Sequence, residues 1–317
     1  MRFGIAREAC NPYLAAMFAG LFQTINRAHA TLMGSGLMLF ALVAAVATET
    51  TANAPPATNS PAPRVVSYDK LPFPVGEELT YNVYWSFIRV ATATAKFEWT
   101  ELDGRKLLAI RSTARTSGIA NKIYRVDDFM ESIVDPATLL PVRYTKQAKE
   151  GHYWTHEITT FDHKNRMAHF ESKKSGAHLD YPIDADTRDI ISTMYFMRTQ
   201  PFITGTKPAY RCMADEKIYD FWVDVLKEEK VDLERYGATP SVKVEPIAAF
   251  NGLFVRTGRV WFWVSRDKRQ FMTKMVASVP IAGRFYVELD KVSGPGQDFW
   301  VQPPAETKRD TKQQGPL

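Results

Sequence analysis

Cysteine is nearly absent from this chain. There are two in 317 residues, Cys10 and Cys212. Cys10 lies upstream of an apolar segment expected to be removed, which leaves Cys212 alone. No intramolecular disulfide is then possible, and a lone Cys reads as a small buried hydrophobe. A strong excess of one charge is also lacking. The net charge is +5, and Lys and Arg alternate with Asp and Glu along the whole chain. A nucleic-acid binder would show a basic stripe, so that partner is excluded. The mild surplus would suit anionic headgroups or acidic glycans. There is no Gly-rich phosphate loop, no nucleophile elbow and no zinc-protease helix motif. No catalytic residue, cofactor or metal site is expected on these grounds. Five of the six histidines fall between residues 152 and 178. His152 and His156, four apart on a strand, would sit about 13 Å from each other at roughly 3.3 Å per residue. That is too far for one zinc ion.

Long apolar runs are lacking too, with one exception. Residues 32–47 read LMGSGLMLFALVAAVA, 16 residues without charge. A spanning helix needs about 20. Arg27 and His29 precede the run, and Ala45-Val46-Ala47 and Ala52-Asn53-Ala54 follow as cleavage signatures. We read residues 1–54 as a signal peptide region, cleaved after Ala54, with Ala47 as the second choice. Residues 55–71 are rich in Pro, Ala and Ser and read as a disordered linker. The exported domain then spans 72–292, and 293–317 read as a disordered tail. No Cys directly follows the apolar run, so a lipidated terminus is not expected.

What the chain does have is apolar residues (45%) and aromatics (12%), enough for a folded core. Strand patterns dominate. Leu79, Tyr81, Val83 and Trp85 alternate with smaller or polar residues, as do Ala91, Ala93, Ala95, Phe97 and Trp99. Asp103-Gly104 is a two-residue hairpin signal, followed by a strand at 106–116. Further strands are expected at 129–134, 142–149, 152–161, 167–172, 209–214, 218–226, 241–246, 259–264, 273–280 and 283–290. Such regular spacing implies a large antiparallel sheet, sandwich or barrel. One segment differs: 190–198 suits a helix, with Asp186 as N-cap, Asp189 in its first turn and Pro201 beyond its end. Ile190, Met194 and Met197 form its stripe. This single short helix would plug or pack on the sheet. Ser117-Gly118 reads as a loop.

Several of these segments resemble an exported bacterial family, the domain of unknown function 3108. They are Pro72-Phe73-Pro74-Val75-Gly76-Glu77-Glu78-Leu79-Thr80-Tyr81 with Val83 and Trp85, then Tyr124-Arg125-Val126-Asp127-Asp128, Glu131-Ser132, Asp135 and Leu140-Pro141-Val142-Arg143-Tyr144. Asp189-Ile190-Ile191-Ser192 with Tyr195 and Arg198 follows, and later Glu245-Pro246, Gly252-Leu253-Phe254 and Gly258-Arg259-Val260-Trp261-Phe262-Trp263. The likeness covers about residues 72–292. It departs from the family at Arg89-Val90-Ala91, where a Gly is usual. The resemblance implies an exported, mostly antiparallel, barrel-like β-protein, and brings no activity or catalytic residue.

Two chemical features remain. Glu77 and Glu78 stand before a strand, where paired acids are usually a solvated edge. Asp128 reads as a structural hydrogen-bonding residue. Aromatics fall on the strands: Trp261 and Trp263 share a side, as do Tyr81 and Trp85. If the sheet curls into a cup, Tyr81, Trp85, Trp261 and Trp263 would line an apolar interior able to hold a lipid chain; the competing reading is a filled core. The expected function is non-enzymatic binding of a lipid-like or protein component of the cell envelope, in the periplasm or at the envelope, with peripheral membrane association. Two alternatives are a cell-wall glycan hydrolase using Glu77 and Asp128, and a scaffold pairing through an exposed strand edge. A cavity of roughly several hundred cubic ångströms would favour binding.

Overall fold

Alternating side chains set the sheet. In β1 (Glu78–Trp85), Leu79, Tyr81, Val83 and Trp85 are all buried. The computed structural model describes residues 68–214, 216–250, 253–255, 259–279 and 283–295. The proposed signal peptide region, most of the linker and most of the tail lie outside the described residues.

Hairpins carry the chain from β1 through β2 (Ile88–Leu102), β3 (Arg105–Thr116), β4 (Asp127–Val134), β5 (Pro141–Glu150), β6 (Tyr153–Asp162) and β7 (Met167–Ser172) to β8 (His178–Pro182). Asp103 and Gly104 both have positive φ, 52° and 71°, which the tight β2–β3 hairpin requires. A second meander begins with the two-residue β9 (Arg188–Asp189) and α2 (Ile190–Met197). It continues through β10 (Ala209–Ala214), β11 (Lys217–Leu233), β12 (Gly237–Phe250), β13 (Leu253–Val255), β14 (Arg259–Ser265), β15 (Met272–Val279) and β16 (Gly283–Ser293). The two meanders join where β1 pairs antiparallel with β16. Among the described residues this makes one sixteen-stranded sheet, antiparallel except where β9 meets β10.

The sheet curls without closing. Its end strands, β8 and β9, share no ladder. Side chains bridge the seam instead. Ser132 Oγ in β4 donates to Asp189 Oδ2 at 2.5 Å, and Arg188 Nη2 donates to the Thr138 carbonyl at 3.0 Å. The structure is therefore mainly β and barrel-like, with α2 entering from the seam.

Several expectations change. A six-residue helix, α1 (Gly118–Ile123), stands where Ser117-Gly118 suggested a loop. The helix predicted over 190–198 is present, but Asp189 caps it, not Asp186. Asp189 accepts from the Ile191 and Ser192 N–H groups at 2.8 and 2.9 Å. Residues 68–70, expected in the linker, form a 3-10 turn whose Tyr68 meets the Trp99 ring edge-on at 5.1 Å.

Candidate functional site

The sheet curls around α2, and the two do not fill the space between them. A cavity of about 130 Å³ remains. Ile190, Met194 and Met197 line it from the helix, the stripe that the sequence placed together. The sheet supplies Tyr81, Phe262 and Val264 among others. The space exists partly because its β2 and β3 positions are small. Ala93, Ala95 and Ser112 face it, and Ala95 and Ser112 are cross-strand partners. A larger side chain at any of them would occupy the volume.

One end of this apolar cavity is polar. Glu77 precedes β1, Arg198 follows α2, and Arg269 lies in the turn before β15; all three are buried. Glu77 Oε2 accepts from Arg269 Nε at 2.9 Å, Arg269 Nη2 at 2.5 Å and Arg198 Nη2 at 3.1 Å. Arg198 Nη1 is 2.7 Å from Oε1 without the alignment of a hydrogen bond. Burial opposes ionisation of Glu77, but Arg198 and Arg269 outweigh it and hold its carboxyl below the usual range. The Arg198 guanidinium also lies over the Phe73 ring at 4.1 Å and the Tyr195 ring at 5.0 Å. Tyr195 and Arg198 both line the cavity. Burial pushes the Tyr81 and Tyr195 hydroxyls well above their ordinary value, so both stay protonated.

The sequence matches the family described as a protein of unknown function, DUF3108, over residues 80–290. The chain belongs to the DUF3108 family. No curated protein matches it. Among solved structures it is similar to a beta-barrel-like protein of domain of unknown function DUF1849 from Brucella abortus. That likeness has 10% identity and a TM-score of 0.48 over 69% of this chain and 98% of the other. A Bacteroides fragilis protein, provisionally described as exported and of YmcC-like fold, matches at 13% identity and TM-score 0.30, over 70% and 98%. A provisionally described lipoprotein from Parabacteroides distasonis matches at 9% and 0.29, over 70% and 98%.

Within this DUF3108 domain the four aromatics named from sequence separate. Tyr81 lines the cavity; Trp85, Trp261 and Trp263 are not among its lining residues. Trp85 is buried in the core, opposite Phe285 on β16. Trp261 and Trp263 do share a side of β14, but the cavity takes the other side, through Phe262 and Val264. Lys243 Nζ sits 4.9 Å from both indole rings, and Trp263 Nε1 donates to Glu229 at 2.5 Å.

The acids named from sequence are not brought together. Glu77 is wholly buried, not a solvated edge, and lies in the arginine cluster. Asp128 is also buried, and its partners are others: Oδ1 accepts from the Lys149 N–H at 3.0 Å. Its neighbour is the buried Glu150 carboxyl, to which it hydrogen-bonds. Two carboxyls can do so only through a shared proton. Burial first, and the Glu150 charge second, push Asp128 up to about 8. Sequence reasoning missed Arg269 as a partner of Glu77, 192 residues away. Its local sequence, Arg266-Asp267-Lys268-Arg269, looks like any charged turn.

Proposed function

We propose that this protein is a non-enzymatic binding protein of the cell envelope, holding an apolar or amphipathic molecule between α2 and the sheet. The observation that carries this reading is the apolar cavity of about 130 Å³ beside α2. That is close to the volume of an engineered cavity, about 150 Å³, that takes benzene. It encloses a segment of a ligand and not a whole lipid, so a longer chain would extend through its mouth. The signal features of residues 1–54 support export.

The rival readings find less support. The hydrolase reading needs two accessible carboxyls in one cleft, whereas Glu77 is clamped by two arginines and Asp128 is sealed against Glu150. The scaffold reading needs a long free edge. The end strands are two and five residues long, and Asp180 and His169 hydrogen-bond across β7–β8. Contact with the membrane surface is part of the proposal, because one end of the barrel carries exposed apolar side chains among cations.

Native mass spectrometry of the protein, purified from a bacterial periplasm without detergent, tests the reading. Excess mass that denaturation releases as an apolar-chain molecule is the expected result, and Met194→Trp should remove it by filling the cavity. A clean protein mass, with no uptake of added amphiphile, would refute it.

A further inference from the structure

We infer that the occupant of the α2 cavity is a single-chain amphiphile with a carboxylate head, seated on Tyr195 and Arg198; this rests on the binding reading above. The argument is an account of donors at the polar end. Tyr195 is buried; its oxygen lies close to Arg198, which can only donate to it, so the hydroxyl proton has no acceptor. Arg198 is buried too, and a guanidinium carries five N–H donors. Its Nε donates to the Arg269 carbonyl at 3.0 Å and its Nη2 to Glu77 at 3.1 Å, while Nη1 lies 2.7 Å from Glu77 Oε1 without the alignment of a hydrogen bond. Arg269 supplies two of the three hydrogen bonds that reach Glu77 Oε2. Glu77 brings one negative charge to the two guanidinium groups, so the buried cluster keeps a surplus positive charge beside the cavity.

Buried donors without acceptors are costly, and so uncommon. Here two residues with such donors line the same cavity. The group that completes them is an acceptor, and an anionic one suits the guanidinium. Phe73 and Tyr195 lie against the guanidinium and Glu77 takes part of its edge, which leaves the remaining N–H groups of that edge for approach. A carboxylate fits that edge with one oxygen and the Tyr195 hydroxyl with the other. A cationic head would face Arg198 and is excluded. Away from this end the lining is apolar, and its Met194 and Met197 are adaptable side chains suited to an alkyl chain.

Isothermal titration at neutral pH, with the periplasm-purified protein cleared of bound lipid on a hydrophobic resin, separates head from chain. The probes are decanoate and 1-decanol, which share the chain and differ in the head. Decanoate should bind at least about tenfold more tightly, since a hydrogen bond to a charged group is worth that much. Tyr195→Phe keeps the ring, which meets Phe73 edge-on and lies tilted against Phe97. It should weaken decanoate by about tenfold and leave decanol unchanged, with an unaltered melting temperature. Equal affinity for the two probes would overturn the head assignment and leave the cavity reading standing. So would a Tyr195→Phe variant that weakens both equally. Failure of both probes to bind would overturn the two readings together.

Discussion

At the scale of single residues, the buried acids differ in what holds them. Glu77 is ionised because two guanidinium groups converge on it. Asp128 has no guanidinium converging on it. The Lys149 N–H and the Lys146 charge draw its carboxyl down, but burial and Glu150 outweigh them and raise it from 3.8 to about 8. The folded protein therefore keeps a proton that the unfolded chain gives up near pH 4. Between those values the native state binds more protons, so stability falls as pH rises from about 4 to about 8. Asp128→Asn replaces the shared proton with a permanent amide donor to Glu150. It should raise stability by about 1–2 kcal/mol near pH 5 and by about 4–6 kcal/mol near pH 9. Urea unfolding at the two pH values checks this; an equal effect at both would refute proton sharing. None of this chemistry was legible beforehand. Asp128 could be read as a hydrogen-bonding residue from its place before a strand, but Glu150 lies on the next strand, and the pairing needs the β4–β5 register.

Elements were easier to read than pairs. Side-chain parity identified β1 and β2 by the face each lays on the core, and β3 by its alternation beyond Ile110, since Leu107, Leu108, Ala109 and Ile110 are buried on both faces. β11 and β12 proved longer than expected for two physical reasons. The run Lys227-Glu228-Glu229-Lys230 looks like a turn, yet it continues β11 past a register shift after Val225. Pro240 and Pro246 look like strand breakers, yet β14 pairs only with Ser241–Val244 of β12. Both prolines therefore sit outside the stretch where a second neighbour needs their N–H. β8, α1 and the two-residue β9 carry too little pattern to be seen. For α2 the stripe and the boundary were legible, but the cap shifted from Asp186 to Asp189. The buried Asp189 serves two ends: it satisfies the helix N–H groups and accepts the Ser132 hydroxyl across the seam. Asp189→Ala removes both at once. A lost cap alone costs about 0.5–2 kcal/mol, and the stranded Ser132 hydroxyl adds about 1 kcal/mol or more. We expect a total of about 2–3 kcal/mol. Amide exchange should rise first in α2 and at the β4–β9 seam; a loss spread evenly over the sheet would contradict this role.

On the scale of the whole molecule the barrel has two unlike ends. The turns around Glu77 and Arg269, with the end of α2, close one of them. The strand directions put the β1–β2 turn, α1 and the start of β16 at the other. There Phe87 is 84% exposed and Ile119 62%, with Ile123 also exposed on α1. Exposed Arg89, Lys122, Arg125 and Arg284 surround them, Arg125 lying 3.6 Å from Asp127. Apolar tips among cations are what an anionic membrane surface attracts: the rings enter the headgroup layer, and each Lys or Arg near it adds about 1 kcal/mol. Co-sedimentation with vesicles measures this for the periplasm-purified protein, without the apolar segment at 32–47. Binding should be stronger to phosphatidylglycerol than to phosphatidylcholine and should weaken with salt. Phe87→Ser should lower it by roughly tenfold, the value of burying one Phe side chain. Phe87 stands at the end opposite the arginine cluster, so the same substitution should leave decanoate binding in the cavity unchanged. A variant that lost both would mean that the tip and the cavity are not separate features, and the assignment of this end to a membrane would fail.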